Sequence, residues 1–132
     1  MIDHLSTHAT DYPATKSFYE ACLGALGYEL QAEMVATWDA EFPTRRICAF
    51  GPPGKPAYWV METKESIGTR HVAFLASDRD SVTAFHEAAL KAGGEDNGAP
   101  GLRPIYHEHY FGAFAFDPDG NNIEAVCHSP ES

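Results

Sequence analysis

The sequence predicts an α+β fold built from two βαβββ modules whose open sheet faces curl around a shared cavity. Three observations carry that expectation. The first is a duplication. Laid on itself with an offset of 67, the chain pairs His4 with His71, Asp11 with Asp78, Phe18 with Phe85, Glu20 with Glu87, Leu23 with Leu90 and Gly27 with Gly94. The second is periodicity. Each copy shows alternating apolar and polar residues, then helical spacing, then alternation again. The third is size. A chain of 132 residues with 44% hydrophobic and 21% charged residues is enough for one sizeable core. The expected organisation is a single domain over residues 1–132, with module one over about 1–66 and module two over about 67–132. A doubled unit of this kind pairs with itself about a pseudo-twofold axis, so equivalent residues near that axis converge.

Ile2–Ala9 reads as a strand, with Leu5, Thr7 and Ala9 on one face and His4, Ser6 and His8 on the other. Asp11 is placed to cap the next helix and Pro13 falls in its first turn, where a missing N–H costs nothing. Phe18, Ala21, Cys22 and Ala25 form the expected buried stripe, and Gly27 ends the helix. Strands follow at Tyr28–Thr37, Arg45–Phe50 and Ala57–Thr63, the last two joined by a turn at Gly51–Gly54. The second copy repeats the order. Arg70–Ala76 is a strand with Val72, Phe74 and Ala76 inward. Asp78 caps a helix with Val82, Phe85, Ala89 and Ala92 on its core side and His86 on its solvated side. Glu95–Pro104 reads as a long polar loop, Phe111–Phe116 as a strand, Asp117–Gly120 as a turn and Asn122–His128 as the last strand.

The net charge of −10 repels phosphate backbones and argues against nucleic-acid partners. No apolar run approaches the roughly 18 residues of a membrane span, so no membrane association is expected. The first residues lack a basic region followed by an apolar stretch, which makes the cytoplasm the expected location. The odd, scattered cysteines, Cys22, Cys48 and Cys127, read as reduced and buried.

Alternation places His4, His71 and Glu124 on the strand faces that point away from the helices. A carboxylate inside a cavity needs a cation or a hydrogen-bond partner. Two histidines and one carboxylate leave coordination positions open, an arrangement that suits catalytic zinc, iron(II), manganese or nickel. Against this stands the commoner fate of a strand histidine, a simple hydrogen bond. A second cluster runs from Arg103 to Phe111. Read as an extended segment, it puts His107 and His109 on one face and Tyr106 and Tyr110 on the other. Either histidine suits proton transfer near neutral pH; the alternative is an exposed aromatic edge. Tyr106, Tyr110, His8 and His128 are candidate substrate contacts. There is no P-loop, no Rossmann glycine pattern and no G-x-S-x-G nucleophile motif.

These residues resemble a known family. His4, Asp11, Phe18-Tyr19 and Leu23-Gly24, the run His71–Asp78 and the run Asp117–Glu124 are similar to the vicinal oxygen chelate superfamily. That superfamily contains glyoxalase I, extradiol dioxygenases, fosfomycin-resistance thiol transferases and bleomycin-binding proteins. The stretch from Asn97 to His128 looks like a glyoxalase-like subgroup. The resemblance implies a divalent ion held by His4, His71 and Glu124. It also implies a homodimer, since single-module relatives pair so that both chains complete each site. Glyoxalase I carries a further glutamate ligand on the fourth strand. An ungapped match puts Val60 there, with Glu62 two residues along as a possible substitute or base. The implied functions are a metal-dependent lyase or isomerase of the glyoxalase type acting on vicinal oxygens, extradiol-type oxygen insertion on iron(II), or metal-free binding of a small molecule such as a drug. Superfamily resemblance constrains fold more than chemistry.

Overall fold

Two aspartates start the two helices. Asp11 accepts a hydrogen bond from the Ala14 amide at 3.2 Å, and Asp78 accepts one from the Ser81 amide at 2.7 Å. In the computed structural model, which describes residues 1–130, helix α1 spans Tyr12–Gly24 and α2 spans Arg79–Lys91. They keep the 67-residue offset of the duplication at both ends. The strands are β1 (Leu5–Ala9), β2 (Glu29–Val35), β3 (Arg46–Gly51), β4 (Tyr58–Glu62), β5 (His71–Leu75), β6 (Glu95–Leu102), β7 (Phe111–Phe116) and β8 (Asn122–Cys127). They form two four-stranded sheets, ordered β1-β4-β3-β2 and β5-β8-β7-β6. The first pair in each sheet is parallel and the others are antiparallel.

Each helix covers one face of its own sheet, and the helices also pack on each other. The core draws on both modules: Phe18, Tyr19, Leu23, Phe50, Tyr58 and Val60 from the first, and Phe74, Val82, Phe85, Ala113 and Ile123 from the second. Burying the Val, Leu, Ile and Phe side chains among these stabilises by about 1.5–3 kcal/mol each. Phe74 of β5 meets the edges of both Tyr28 and Tyr58 at 5.9 and 5.1 Å between ring centres. A polar clasp joins the modules as well. The buried Tyr19 hydroxyl donates to Asp117 Oδ2 at 2.5 Å and accepts from the Tyr58 hydroxyl at 3.0 Å. Asp119 accepts from the Thr10 amide at 3.0 Å. Among the described residues no helix is long and apolar enough to cross a membrane.

Several local expectations are corrected. β6 occupies Glu95–Leu102, where a loop was expected. Register shifts around Gly98 break the side-chain alternation while the backbone still pairs with β7. The buried face of α1 runs through Tyr12, Thr15, Phe18, Tyr19, Cys22 and Leu23, leaving Ala21 exposed. The ring of Tyr19 turns inward because its hydroxyl has Asp117 to bond. His86 is buried at 6% exposure, its Nε2 2.8 Å from Asp96 Oδ1. β6 passes alongside that helix face and covers it. The first strand begins at Leu5, so His4 stands just before it. Glu131 and Ser132, the last residues of module two, lie outside the described residues.

Candidate functional site

The site builds on the open face of the second sheet. Register places Glu124 opposite Ala73 of β5 and Phe114 of β7, so His71, Phe114 and Glu124 share one face. Glu124 is buried at 2% exposure, although it points away from α2. His71 Nε2 lies 3.0 Å from Glu124 Oε1, while the ring stacks on Phe114 with centres 6.2 Å apart. His71 Nδ1 is 3.0 Å from the backbone carbonyl of Asn122. A carbonyl only accepts, so Nδ1 carries the proton. In neutral imidazole that leaves a bare lone pair on Nε2 facing a carboxylate. Two acceptors do not rest 3.0 Å apart unless a proton or a cation lies between them. A histidine whose far nitrogen donates to a backbone carbonyl is also the arrangement usual in metal ligands.

The other oxygen of Glu124 accepts a short hydrogen bond from the Tyr110 hydroxyl. Burial, then the carboxylate itself, pushes the Tyr110 phenol well above its ordinary range, so it stays a donor. Gly112 makes this contact possible. A Cβ there would sit 3.2 Å from the Tyr110 ring and 3.4 Å from Glu124 Oε2. Strand glycines often mark such close approaches.

His107 and His109 do not share a face. The segment folds into two turns, with Tyr106 N–H donating to the Arg103 carbonyl at 3.0 Å and Tyr110 N–H to the His107 carbonyl at 3.2 Å. The extended reading failed because Pro104 starts a turn there. His107 Nδ1 accepts from the His109 amide at 3.1 Å, so its Nε2 carries hydrogen and donates to His128 Nδ1 at 2.8 Å. The Tyr110 ring packs edge-on against both imidazoles at 5.5 and 5.4 Å and lies 4.8 Å from Tyr106. His109 Nε2 lies 3.8 Å from Glu108 Oε1. Sequence reasoning missed the joining of these two groups through Tyr110. The strand glycine at position 112 was the available signal.

His4 stands apart from this cluster within the chain. Its Nδ1 is 2.7 Å from Asp3, which Lys55 bonds at 2.6 Å. It lines a groove on the first sheet with Ser6, Trp59 and Met61. Among the described residues no three histidine, cysteine or acidic side chains converge as a metal cage. The chain therefore brings together His71 and Glu124 and leaves His4 at the start of the other sheet, just before β1. Glu62 takes no place beside His4. It pairs with Ala9 on the helix side of its sheet, along with the core residue Val60, and takes three N–H bonds from Arg46 at 2.7–3.0 Å. Arg46 holds its carboxyl below the usual range, which makes it a poor base. His8 shares the strand face of Ser6, and its buried Nδ1 has no hydrogen-bond partner among the described residues. Burial, then the charges of Arg70 and Arg45, lower its pKa.

Fold and site define a class of protein. The chain belongs to the Glyoxalase/Bleomycin resistance protein/Dioxygenase superfamily, whose family model matches residues 1–125. Solved structures agree. A glyoxalase/bleomycin resistance protein from Albidiferax ferrireducens is 25% identical, with a TM-score of 0.72 over 98% of this chain and 99% of that one. A glyoxylase/bleomycin resistance protein/dioxygenase domain from Frankia sp. is 16% identical, with a TM-score of 0.70 over 98% of each chain. A glyoxalase I variant from Zea mays is 21% identical, with a TM-score of 0.69 over 95% of this chain and 46% of that one. The last two show the fold alone. No curated protein sequence matches the chain.

Proposed function

We propose that the protein is a metal-dependent lyase or isomerase of the glyoxalase type, acting on a small molecule with two adjacent oxygens. One observation carries this reading: the buried Glu124 carboxylate faces a His71 Nε2 whose other nitrogen is committed to a carbonyl. That pair fits a divalent ion, with zinc, iron, manganese and nickel all matching a nitrogen–oxygen donor set. Bound there, the ion would supply Lewis acidity toward the two substrate oxygens. Glu124 and His71 hold it, and Tyr110 orients the carboxylate. His107 donates to His128, which leaves the Nε2 of His128 to exchange a proton with substrate. This pair is the acid–base group of the proposal, in place of Glu62 or His109.

The third ligand is His4 of a second copy. A homodimer supplies it and covers apolar side chains such as Leu75, at 72% exposure, and Ile105, at 85%. The three buried thiols suit a reducing cytoplasm. The packing of Tyr110 against two imidazoles favours extradiol-type oxygen insertion as the second reading. Product analysis with iron(II) and dioxygen against zinc separates the two. Metal titration of the wild type, His71→Ala and Glu124→Ala tests the shared claim. Equal affinity in all three proteins removes it and leaves a metal-free binding protein.

A further inference from the structure

The buried histidine of α2 reaches the site through the sheet. His86 Nε2 meets Asp96 Oδ1 at 2.8 Å where α2 packs on β6. The same oxygen accepts the Gly98 amide at 3.0 Å. Gly98 first, then His86, holds the Asp96 carboxyl below the usual range, so the carboxylate accepts and His86 Nε2 carries the hydrogen. One oxygen atom thus joins the helix to the residues on either side of Asn97.

Asn97 is a bulge. Asp96 pairs with Ala115 and Gly98 with Phe114, so one extra residue of β6 stands opposite two neighbours of β7. Bulges re-aim side chains and are common beside active sites. This one directs Asn97 toward β8, where its Nδ2 donates to Asn122 Oδ1 at 3.1 Å. Asn122 lies opposite His71, and its carbonyl accepts from His71 Nδ1. Gly98 makes the second contact. Its φ is +153°, and a Cβ there would sit 3.0 Å from the Phe114 ring. Phe114 is the ring that stacks on His71, 23° from parallel. Both residues that support the His71 imidazole, Asn122 and Phe114, therefore touch the bulge, and α2 fixes the bulge.

We propose that His86 and Asp96 are positioning residues for His71: they fix the Asn97 bulge, and through Asn122 and Phe114 the bulge sets the orientation of the His71 ring and the affinity of the metal centre. The effect on affinity rests on the proposed metal reading, and the effect on the ring does not. Partners directly behind a metal-ligating histidine change affinity by about 10–100-fold. These residues act one step further back, so about three- to tenfold is expected.

The experiment uses the full chain with isotope-labelled histidine. The ring nitrogens of His71, assigned with His71→Ala, report by NMR on its tautomer and hydrogen bonding without metal, and zinc titration reports affinity. Asp96→Ala removes both bonds to Oδ1. Asn97→Ala leaves them and cuts the link to Asn122; its side chain is exposed, so the fold should hold. Both variants should move the His71 signals toward a mixture of tautomers and weaken zinc about three- to tenfold. Asp96→Asn keeps the accepting oxygen and should restore most of the affinity that Asp96→Ala loses. Asp11→Ala removes the α1 cap in the other module, so it should lower stability and leave both readouts unchanged.

Unchanged His71 signals in Asp96→Ala and Asn97→Ala would overturn the proposal, whatever the melting temperatures do. So would matching shifts in Asp11→Ala, since the effect would then be one of stability alone. Shifted signals with wild-type zinc affinity would overturn the link to the metal centre. A wild type that binds no zinc defeats the metal reading itself, and the His71 signals still decide whether the bulge holds the ring.

Discussion

Replacing Tyr19 by Phe tests how the modules are held together. The ring is fully buried, and Phe reproduces its shape, so the change removes one oxygen and little packing. That oxygen donates to Asp117 Oδ2 and accepts from Tyr58. Asp117 keeps three N–H donors: the amides of Asp119 and Asn121 at 2.9 Å and the Asn121 side chain at 2.8 Å. Its carboxylate therefore stays solvated by the protein, and the loss is one charge-assisted bond, about 1.5–3 kcal/mol. The Tyr58 hydroxyl loses its acceptor, which adds up to ~1 kcal/mol if it cannot turn to Thr7. The expected cost is about 2–3 kcal/mol, or a fall in Tm on the order of 6–15 °C for a domain of this size. Urea unfolding should show a lower midpoint with an unchanged slope. Tyr58→Phe combined with Tyr19→Phe should cost less than the two singles together, because both remove the same bond. A cost under ~0.5 kcal/mol for Tyr19→Phe would refute the clasp as an energetic link.

Three further outcomes follow from the geometry. His8 should titrate below its ordinary 6.5, read from its ring proton by NMR; its folded pKa is lowered, so stability present above pH 6.5 is lost as pH falls through the folded value, and His8→Gln should flatten that slope. Gly112→Val should push Tyr110 off Glu124 and weaken metal binding at least tenfold, measured by calorimetry, while costing stability by about 1–3 kcal/mol from overpacking; unchanged affinity would remove Tyr110 from the site. His107→Gln should lower turnover on the order of 100-fold with metal content intact, and His109→Gln should not; a loss in both, or in His109→Gln alone, would reject the assignment.

The modular order was legible because the duplication and the two aspartate caps are local signals. Alternation also sorted His71 and Glu124 onto the open face, since period two is a property of the strand itself. What was hidden depends on distant partners. Tyr19 turns its ring inward to reach Asp117, a residue in the other module, and so displaces Ala21 from the stripe. β6 is a strand by backbone pairing, which its glycines and proline conceal. The two turns after Pro104 separate His107 from His109, and sequence spacing alone cannot distinguish that from an extended run. Position 62 misled through spacing of a similar kind. Its register on β4 puts it beside the core, where Arg46 claims it. The separation of His4 from Glu124 is the largest gap. The sequence holds His4 and its duplicate His71, the neighbour of Glu124, and only the placement of the two sheets tells whether one chain can bring them together.

The most direct test of the central claim is zinc binding by calorimetry, run alongside light scattering on the same samples of wild type, His4→Ala, His71→Ala and Glu124→Ala. The proposed metal centre predicts a dimer that binds one ion per chain. It predicts at least tenfold weaker binding when His71 or Glu124 is removed, and mixed His4→Ala and Glu124→Ala dimers that regain part of the affinity because one intact site forms across the interface. A monomer with wild-type affinity in every variant would contradict it.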